Sequence, residues 1–401
     1  MNQCRIELHG HVIDSLILPR VMDAIVEYGA SYEFEKFEVG RHNEEPSHVR
    51  MLIKASDPET LQSLVAVLRR HGAQLIHEHD VTVVPAPIDG AFPDGFYSTT
   101  NLRTSVRLNG KWLEVQGPEM DCGIRIEGNT ASTVPMNDVR AGDLFVVGRE
   151  GVRMQPLERE RKKAAFEFMG SDVSSEKPKA LAIDEIAKYI RQVKERGGKV
   201  LLVAGPAVIH TGAAKSLAGL IRGGWIDVLF SGNALATHDL EAALYGTSLG
   251  IYLDKGLPAE GGHEHHLRAI NTIRLAGGIK AAVEKGLVTS GVMHAVVTSG
   301  IDYVLAGSIR DDGPLPEVVT DVVTAQKRMR ALLPGVEVCL MVASMLHSIA
   351  VGNLLPAHVK TISVDINPAV VTKLLDRGSF QTMGLVTDVE AFLRGLLDNL
   401  S

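Results

Sequence analysis

After Pro178 the chain settles into a pattern that few architectures can satisfy. Short runs of uninterrupted apolar residues, each ending in small or polar residues, alternate with segments of helical period. The runs are Lys199 to Ala204, Trp225 to Phe230, Tyr303 to Ala306, Val336 to Val342, Thr361 to Val364 and Met383 to Val386. A strand with one wet face alternates apolar and polar residues, whereas a strand covered on both faces is apolar throughout. Runs of the second kind, separated by helices, predict a parallel sheet with helices on either side, which is a doubly wound α/β domain.

The beginning of the chain follows a different rule. It reads as strand (Cys4 to Leu8), helix (Leu16 to Tyr28), strand (Ser31 to Val39), strand (Ser47 to Lys54), helix (Pro58 to Arg70) and strand (Gln74 to His77). Leu61, Leu64 and Leu68 carry the helical period, Ser56 or Asp57 stands where a cap belongs, and Arg41 to Pro46 is a polar turn. This β-α-β-β-α-β order predicts a ferredoxin-like module. Beyond it the helical period disappears, and short β-rich runs replace it: Val81 to Val84, Trp112 to Val115, Gly123 to Glu127 and Leu144 to Val147, with Asn109-Gly110 as a hairpin turn. The charged run Glu158 to Lys163 and the polar stretch Gly170 to Pro178 place a boundary near Arg161 to Lys179. The expected domains are 1–80, a ferredoxin-like module; 81–170, a small β-rich region; and 171–401, the doubly wound α/β domain.

Composition narrows the function classes. A net charge of -7, with basic residues scattered rather than clustered, excludes a footprint for nucleic acid or an anionic membrane and leaves a small molecule as the expected ligand. Cys4, Cys122 and Cys339 are odd in number and lack CxxC spacing, so neither a disulfide framework nor a thiolate metal site is expected, and a reducing cytoplasm fits. Met1 to His9 lacks the apolar core of a signal peptide, and each later apolar run is shorter than the roughly 18 residues of a membrane helix. The expectation is a cytoplasmic homo-oligomer, a dimer or tetramer.

Ligands of open parallel sheets lie in the crevice beyond the carboxyl ends of the strands. There the sequence places Gly205-Pro206-Ala207, Ser231-Gly232-Asn233-Ala234, Gly307-Ser308, Ser344-Met345-Leu346-His347, Asp365-Ile366-Asn367 and Thr387-Asp388-Val389. The backbone N–H groups of Met345, Leu346 and His347 could form a nest for a pyrophosphate, or Ser344 only caps its helix. Asp365 stands where an acid accepts hydrogen bonds from the ribose of NAD, or serves as an exposed N-cap. Gly205 and Gly212 are too widely spaced for a GxGxxG fingerprint, and Asp365 lies far downstream of that loop, so a bound dinucleotide implies a variant sheet.

Further polar groups stand out. His263 and His266 share a helical face within Gly261-Gly262-His263-Glu264-His265-His266, which offers a zinc site, a loop lining an active site or a solvated helix start. In the segment Ser308 to Pro316, Asp312 could bind a cofactor or a substrate ammonium and Asp311 could pair with Arg310, or the segment is a turn held by Asp-Gly and prolines. Phe96 to Asn101 and Glu119 to Cys122 give the middle region two reactive-looking stretches. Glu119 and Asp121 alternate as on one strand face and could act as acid, base or ammonium ligand, or simply be solvated, while Cys122 is a nucleophile or an inert core residue.

The strings SGNALATHDLE, LAGSIRDDGPLPEV, VDINPAVVTKLLDRGS and GLVTDVEAFL, with FYSTTN and EMDC, resemble the archaeal-type NAD-dependent ornithine cyclodeaminases, also labelled as a conserved domain of lysine-oxoglutarate reductase/saccharopine dehydrogenase. The resemblance covers nearly the whole chain. It extends to the C-terminal part of cyanobacterial arginine dihydrolase fusion enzymes, and the nucleotide domain is similar to that of deoxyhypusine synthase, a Rossmann variant without GxGxxG. It implies NAD contacts at Asn233, Ala234, Asp312, Ser344, Met345, Leu346, His347, Asp365, Asp388 and Val389. With the ferredoxin-like module at the start of the chain, the hydrolase domain and its activity are expected to be absent.

The activity so implied converts L-ornithine to L-proline and ammonia, with hydride leaving to NAD and returning in one turnover. Such a site needs anionic groups for the two amines, a cation for the carboxylate and exclusion of water. Glu119, Asp121 and Asp312 are the acidic candidates, His263 a proton carrier, and Arg125 or Lys163 the carboxylate partner. Two other readings remain open: a net NAD-dependent amino-acid dehydrogenase of saccharopine type, and a sensor that binds an amino acid through the N-terminal module without turnover.

Overall fold

The computed structural model describes residues 2–10, 12, 17–40, 45, 47–71, 73–75, 79–155, 179–260, 262–311, 313–377 and 382–401. It divides into two compact units, Met1–Ala164 and Ala165–Ser401. The boundary expected at residue 80 falls inside the first unit. The charged run Glu158 to Lys163, Lys163 included, and most of the turn Arg41 to Pro46 lie outside the described residues.

The first unit opens with β1 (Asn2–Gly10), α1 (Ile17–Glu27), β2 (Ser31–Glu38), β3 (Ser47–Ala55), α2 (Pro58–Arg70) and β4 (Gln74–Leu75). The sheet order is β2-β3-β1-β4 with antiparallel neighbours, the ferredoxin-like arrangement. Val49, Met51 and Ile53 alternate inward from β3 and pack with Val21 and Ile25 of α1 and Leu64 and Leu68 of α2. Asp57 is the cap of α2: its carboxylate accepts from the Thr60 backbone at 2.7 Å, and that bond, helped by the Thr60 and Ser56 hydroxyls, pushes its pKa down to about 2.

Seven short strands follow: β5 (Thr82–Pro85), β6 (Thr104–Leu108), β7 (Lys111–Gln116), β8 (Gly123–Glu127), β9 (Thr130–Val134), β10 (Leu144–Val147) and β11 (Val152–Met154), ordered β11-β6-β7-β9-β8-β10-β5. Asn109 (φ 50°) and Gly110 (φ 75°) make the expected turn between β6 and β7, with the left-handed pair that a two-residue hairpin requires. Closure, illegible in the sequence, comes from the backbone: the Val81 N–H, just before edge strand β5, donates to the Arg107 carbonyl of β6 at 2.8 Å. The sheet therefore curls back on itself around Val106, Val115, Ile124 and Val146. Within this unit Glu7 of β1 pairs with His48 (2.6 Å) and Arg50 (2.9 Å), and Arg153 of β11 lies 3.6 Å from the same carboxylate.

The second unit runs α3 (Lys179–Glu195), β12 (Lys199–Ala204), α4 (Ala207–His210), α5 (Ala214–Arg222), β13 (Val228–Gly232), α6 (Asn233–Tyr245), β14 (Thr247–Ser248), β15 (Ile251–Tyr252), α7 (His265–Ala276), α8 (Ile279–Glu284), α9 (Val292–Ser299), β16 (Asp302–Ala306), α10 (Val322–Leu332), β17 (Val336–Val342), α11 (Leu346–Leu354), β18 (Lys360–Asp365), α12 (Pro368–Arg377), β19 (Thr382–Val386) and α13 (Val389–Leu400). Its six-stranded sheet is parallel throughout, in the order β16-β13-β12-β17-β18-β19. Counted along the unit, that is 3-2-1-4-5-6, the Rossmann order.

Continuous hydrophobicity has the predicted cause. Val200, Leu202 and Ala204 of β12 pack with Leu217 of α5 and Phe392 of α13, whereas Leu201 and Val203 face Met329 of α10 and Val351 of α11. Each Val, Leu, Met or Phe side chain among them contributes about 1.5–3 kcal/mol on burial. The strand expected from Trp225 begins only at Val228, because the Trp225 N–H closes the end of α5 on Leu220 and Asp227 turns its carboxylate back to the Val200 N–H at 2.8 Å.

Candidate active site

In this topology the switch point lies between β12 and β17, where neighbouring strands send their chains to opposite faces. The backbones meet tightly there. A Cβ on Gly205 would sit 1.7 Å from the Ala343 carbonyl oxygen, and the Gly205 N–H donates to Val342 at 2.9 Å. Ala343 itself is left-handed (φ 48°), a strained conformation for a residue with a side chain, costing about 1–3 kcal/mol. It turns the chain from β17 into α11, whose N-cap is Met345, without a side-chain cap bond. Ser344 is thus not the cap; it is buried one residue earlier. Helix α6 likewise starts on Gly232 with no side-chain cap, so two helix N-termini keep first-turn N–H groups available to an anion.

Other expected residues surround these termini. Asn233, the first residue of α6, is buried and its Oδ1 accepts from the Leu315 N–H at 3.0 Å, anchoring the loop after β16. Ala234 follows it, half-buried. In that loop the Asp311 carboxylate accepts from the Ser308 N–H (2.8 Å) and closes its own turn; no pair with Arg310 forms among the described residues. Asp312 lies outside the described residues. His347 packs its ring over Gly232, where a Cβ would meet it at 2.7 Å, and burial lowers its pKa against the opposing pull of Asp311. Leu346 and Met345 are exposed. Asp365 ends β18 and accepts from the Asn367 N–H through Oδ1 (2.8 Å), about twenty residues on from Ala343, the spacing at which a Rossmann acid follows its phosphate loop. Asp388 caps α13 through the Ala391 N–H at 3.1 Å, and the Val389 side chain is core.

In the first unit the two reactive-looking stretches do come together. Thr99 Oγ1 donates to the Glu119 carbonyl (2.6 Å) and accepts from the Cys122 N–H (3.0 Å). Glu119 and Asp121 do not share a strand face: they occupy the turn between β7 and β8, where Asp121 is exposed with φ 61°. Proline and a left-handed residue break the alternation that the spacing suggested. Cys122 is buried, its thiol 3.6 Å from the Met120 carbonyl, the setting of a packed cysteine rather than a nucleophile. Arg125 faces Glu127 and Asp143, each at 3.6 Å, which occupies the cation expected for a substrate carboxylate.

The histidine-rich segment also differs from expectation. Gly262–Glu264 forms a 3-10 turn into α7, and the His263 side chain lies outside the described residues. Among the described residues no His, Cys, Asp and Glu group has the geometry of a metal site. Its neighbour His265 is wired inward instead, with Nδ1 2.8 Å from Thr247 Oγ1. Thr247 in turn donates to Glu241, which is fully buried and also accepts from the Gly250 N–H (2.9 Å) and pairs with His238 Nδ1 (3.1 Å). Burial pushes the Glu241 carboxyl up, but these bonds outweigh it and hold the group below its ordinary range. His238 meets His210 edge to face at 4.7 Å, and His210 Nδ1 lies 2.6 Å from Ser248 Oγ. The reading of the sequence missed this network. Its signal was the i, i+3 pair His238 and Glu241 within SGNALATHDLE, one helical face carrying a base and an acid.

Along its whole length the chain is similar to the ornithine cyclodeaminase of Methanothermobacter thermautotrophicus, 51% identical over 100% of this chain and 98% of the relative. The chain belongs to the archaeal-type ornithine cyclodeaminase family. Residues 3–102 match the LOR/SDH bifunctional enzyme conserved region, 103–183 the first region of the arginine dihydrolase ArgZ-like C-terminal part, and 184–396 its Rossmann fold. Among solved structures, a LOR/SDH protein of Methanococcus maripaludis is 45% identical, with a TM-score of 0.75 over 80% of this chain and 97% of that one. The ternary complex of AgrE with ornithine and NAD+ is 41% identical, with a TM-score of 0.55, and covers all of this chain but 57% of AgrE. The family's Rossmann domain thus coincides with the unit whose strand order and uncapped helix termini are described above.

Proposed function

We propose that the protein is an NAD-dependent ornithine cyclodeaminase that converts L-ornithine to L-proline and ammonia. The observation that carries this reading is the 51% identity, end to end, with an ornithine cyclodeaminase. The complex of AgrE with ornithine and NAD+ supports the choice of ligands.

The residues of the second unit fit a dinucleotide. The absent side chain at Gly205 lets the backbones that follow β12 and β17 approach closely and form the floor of the crevice. The N-termini of α6, at Asn233 and Ala234, and of α11, at Met345 to His347 beside Ser344, present unpaired N–H groups and partial positive charge to a pyrophosphate. Asp365, with one carboxylate oxygen bonded to Asn367, offers its other oxygen to ribose hydroxyls. Asp388 and Val389 follow the next strand end and are offered, with Asp312, as further contacts of the dinucleotide. Bound NAD would supply an acceptor that takes the hydride from the substrate α-carbon and returns it to the cyclised product precursor. The protein's own tasks are to hold the two amines, exclude water and move protons. Glu119 and Asp121 are offered as ammonium ligands on their turn, and His263 as a proton carrier. The product places the enzyme at a proline-forming step, and a cytoplasmic homo-oligomer is the accompanying expectation.

The test is direct. Purified protein with ornithine and NAD is followed for ammonia, proline and absorbance at the reduced-nicotinamide band. Equimolar ammonia and proline without net reduction is expected. Accumulating reduced cofactor would replace the reading by a net dehydrogenase, and binding without either product would replace it by a sensor.

A further inference from the structure

We propose that His210 is the proton acceptor for the substrate amine, with Glu241, His238 and Ser248 as its positioning residues; this rests on the ornithine reading above. Position is the first argument. Helix α4, which ends on His210, is the turn that follows Gly205 at the carboxyl end of β12, and α6, which carries His238 and Glu241, follows the carboxyl end of the neighbouring strand β13. In a doubly wound sheet the two halves of a dinucleotide lie on either side of the switch point. With Asp365 marking the β18 side for adenosine, β12 and β13 are left for the reactive half, and α4 stands beside it.

The second argument is the way the ring is held. Glu241 is fully buried in its side chain and draws in the Thr247 hydroxyl (2.9 Å) and the Leu249 (3.2 Å) and Gly250 (2.9 Å) N–H groups. These bonds fix a turn that includes left-handed Leu249 (φ 53°), a strained conformation that needs such support. The turn delivers Ser248 Oγ to His210 Nδ1 at 2.6 Å. We assign the tautomer in which Nδ1–H donates to Ser248, leaving the Nε2 lone pair available; among the described residues Nε2 has no partner, and the ring is partly exposed. A buried carboxylate that only filled space would be costly, whereas one that orients a histidine has a use.

Electrostatics then suits the ring to its task. Burial, the first cause, and the charge of His238 lower the His210 pKa, while Glu241 pulls it up, so the ring is neutral and basic near pH 7 yet has a carboxylate nearby once it gains a proton. His265 reaches the same network through Thr247. In the step, the N–H bond of the substrate α-ammonium breaks, its electron pair stays on nitrogen, and the proton moves to Nε2. The imidazolium later returns that proton to the departing amine, so His210 is unchanged over a turnover.

The test combines kcat/KM against pH, NAD affinity by fluorescence titration, and the NMR titration of the His210 ring. Wild-type protein should show an acid limb below pH 6.5, matching the ring titration. H210Q should lose kcat by about 10²–10⁴-fold together with that limb, with NAD affinity retained within about threefold. H210A should regain activity with added imidazole in proportion to its free base, a response that a merely structural role would not give. E241Q should move the ring titration to lower pH; if that variant does not fold, the His210 variants and the wild-type ring titration still decide. An acid limb unchanged in H210Q, or no rescue of H210A by imidazole, overturns the proposal. Wild-type protein that binds NAD yet makes no proline removes the ornithine reading and this step with it.

Discussion

Substituting Gly205 by alanine tests the crevice at its tightest point. The new Cβ would lie 1.7 Å from the Ala343 oxygen and 2.7 Å from its carbonyl carbon. A carbon and a carbonyl oxygen in contact stand about 3.3–3.6 Å apart, so the two backbones must separate by well over an ångström. Neither side yields freely: the Gly205 N–H is bonded to Val342 and the Ala343 N–H to Val364, each at 2.9 Å. Overpacking costs about 1–3 kcal/mol and a lost buried hydrogen bond about 0.5–1.5 kcal/mol, so G205A should destabilise the second unit by roughly 2–4 kcal/mol. For a unit of this size that lowers the Tm by roughly 5–15 °C. The displacement would spread the floor proposed for the pyrophosphate, and NAD affinity should fall at least about tenfold, or about 1.4 kcal/mol. G212A is the control: Gly212 is left-handed (φ 82°) but has nothing within 4 Å of a Cβ, so it should lose about 1–2 kcal/mol of stability and no NAD affinity. Scanning calorimetry with and without NAD reads both quantities. A G205A protein with wild-type Tm and wild-type affinity would refute the argument from close approach.

Three further outcomes are expected. D365A should weaken NAD binding by about 10–100-fold through loss of a charge-assisted hydrogen bond, measured by isothermal titration; unchanged affinity would move the ribose elsewhere. Asp239, buried at the base of α9 where it accepts from Val292 (2.8 Å) and Met293 (2.7 Å), is pushed up by burial from an ordinary 3.8 to about 6. The folded state therefore holds that proton more tightly, its stabilising contribution is complete below pH 3.8 and lost as pH rises through about 6, and about 3 kcal/mol is at stake. Urea midpoints of D239N should lack this slope between those pH values, and a slope equal to wild type would refute it. C122S should keep turnover within about twofold, since the thiol is buried and packs against the Met120 carbonyl; complete loss would restore Cys122 as a nucleophile.

The sheet of the second unit was legible because burial on both faces leaves a mark in every residue of a strand. β12 and β17 carry that mark from end to end, and their limits agree with the apolar runs to the residue. Trp225 misled because an apolar residue that closes a helix looks the same in sequence as one that opens a strand. Side-chain chemistry was less legible. The strand-end positions follow from topology alone, but whether a polar residue there is spent on the protein depends on partners remote in sequence. Asn233 Oδ1 is taken by Leu315, Asp388 by its own helix, and Arg125 by Asp143. His210 escaped notice for the same reason. Nothing near it in the chain is unusual, and its meaning comes from Ser248 and Glu241, which a helix and two turns bring back to it.

The placement of Asp365 has a consequence for how such chains are recognised. Fingerprints are written from the amino end, with a glycine loop after strand one and an acid about twenty residues later. In this sheet the same interval separates the left-handed Ala343 after the fourth strand from Asp365 after the fifth. The two halves of a Rossmann sheet are related by an approximate two-fold, so the grammar of the site can be written in either half. A pattern scan that begins at the first strand reads past this interval; one that slides the template to the fourth strand, and accepts alanine where it demands glycine, meets it at the residues proposed here for the dinucleotide.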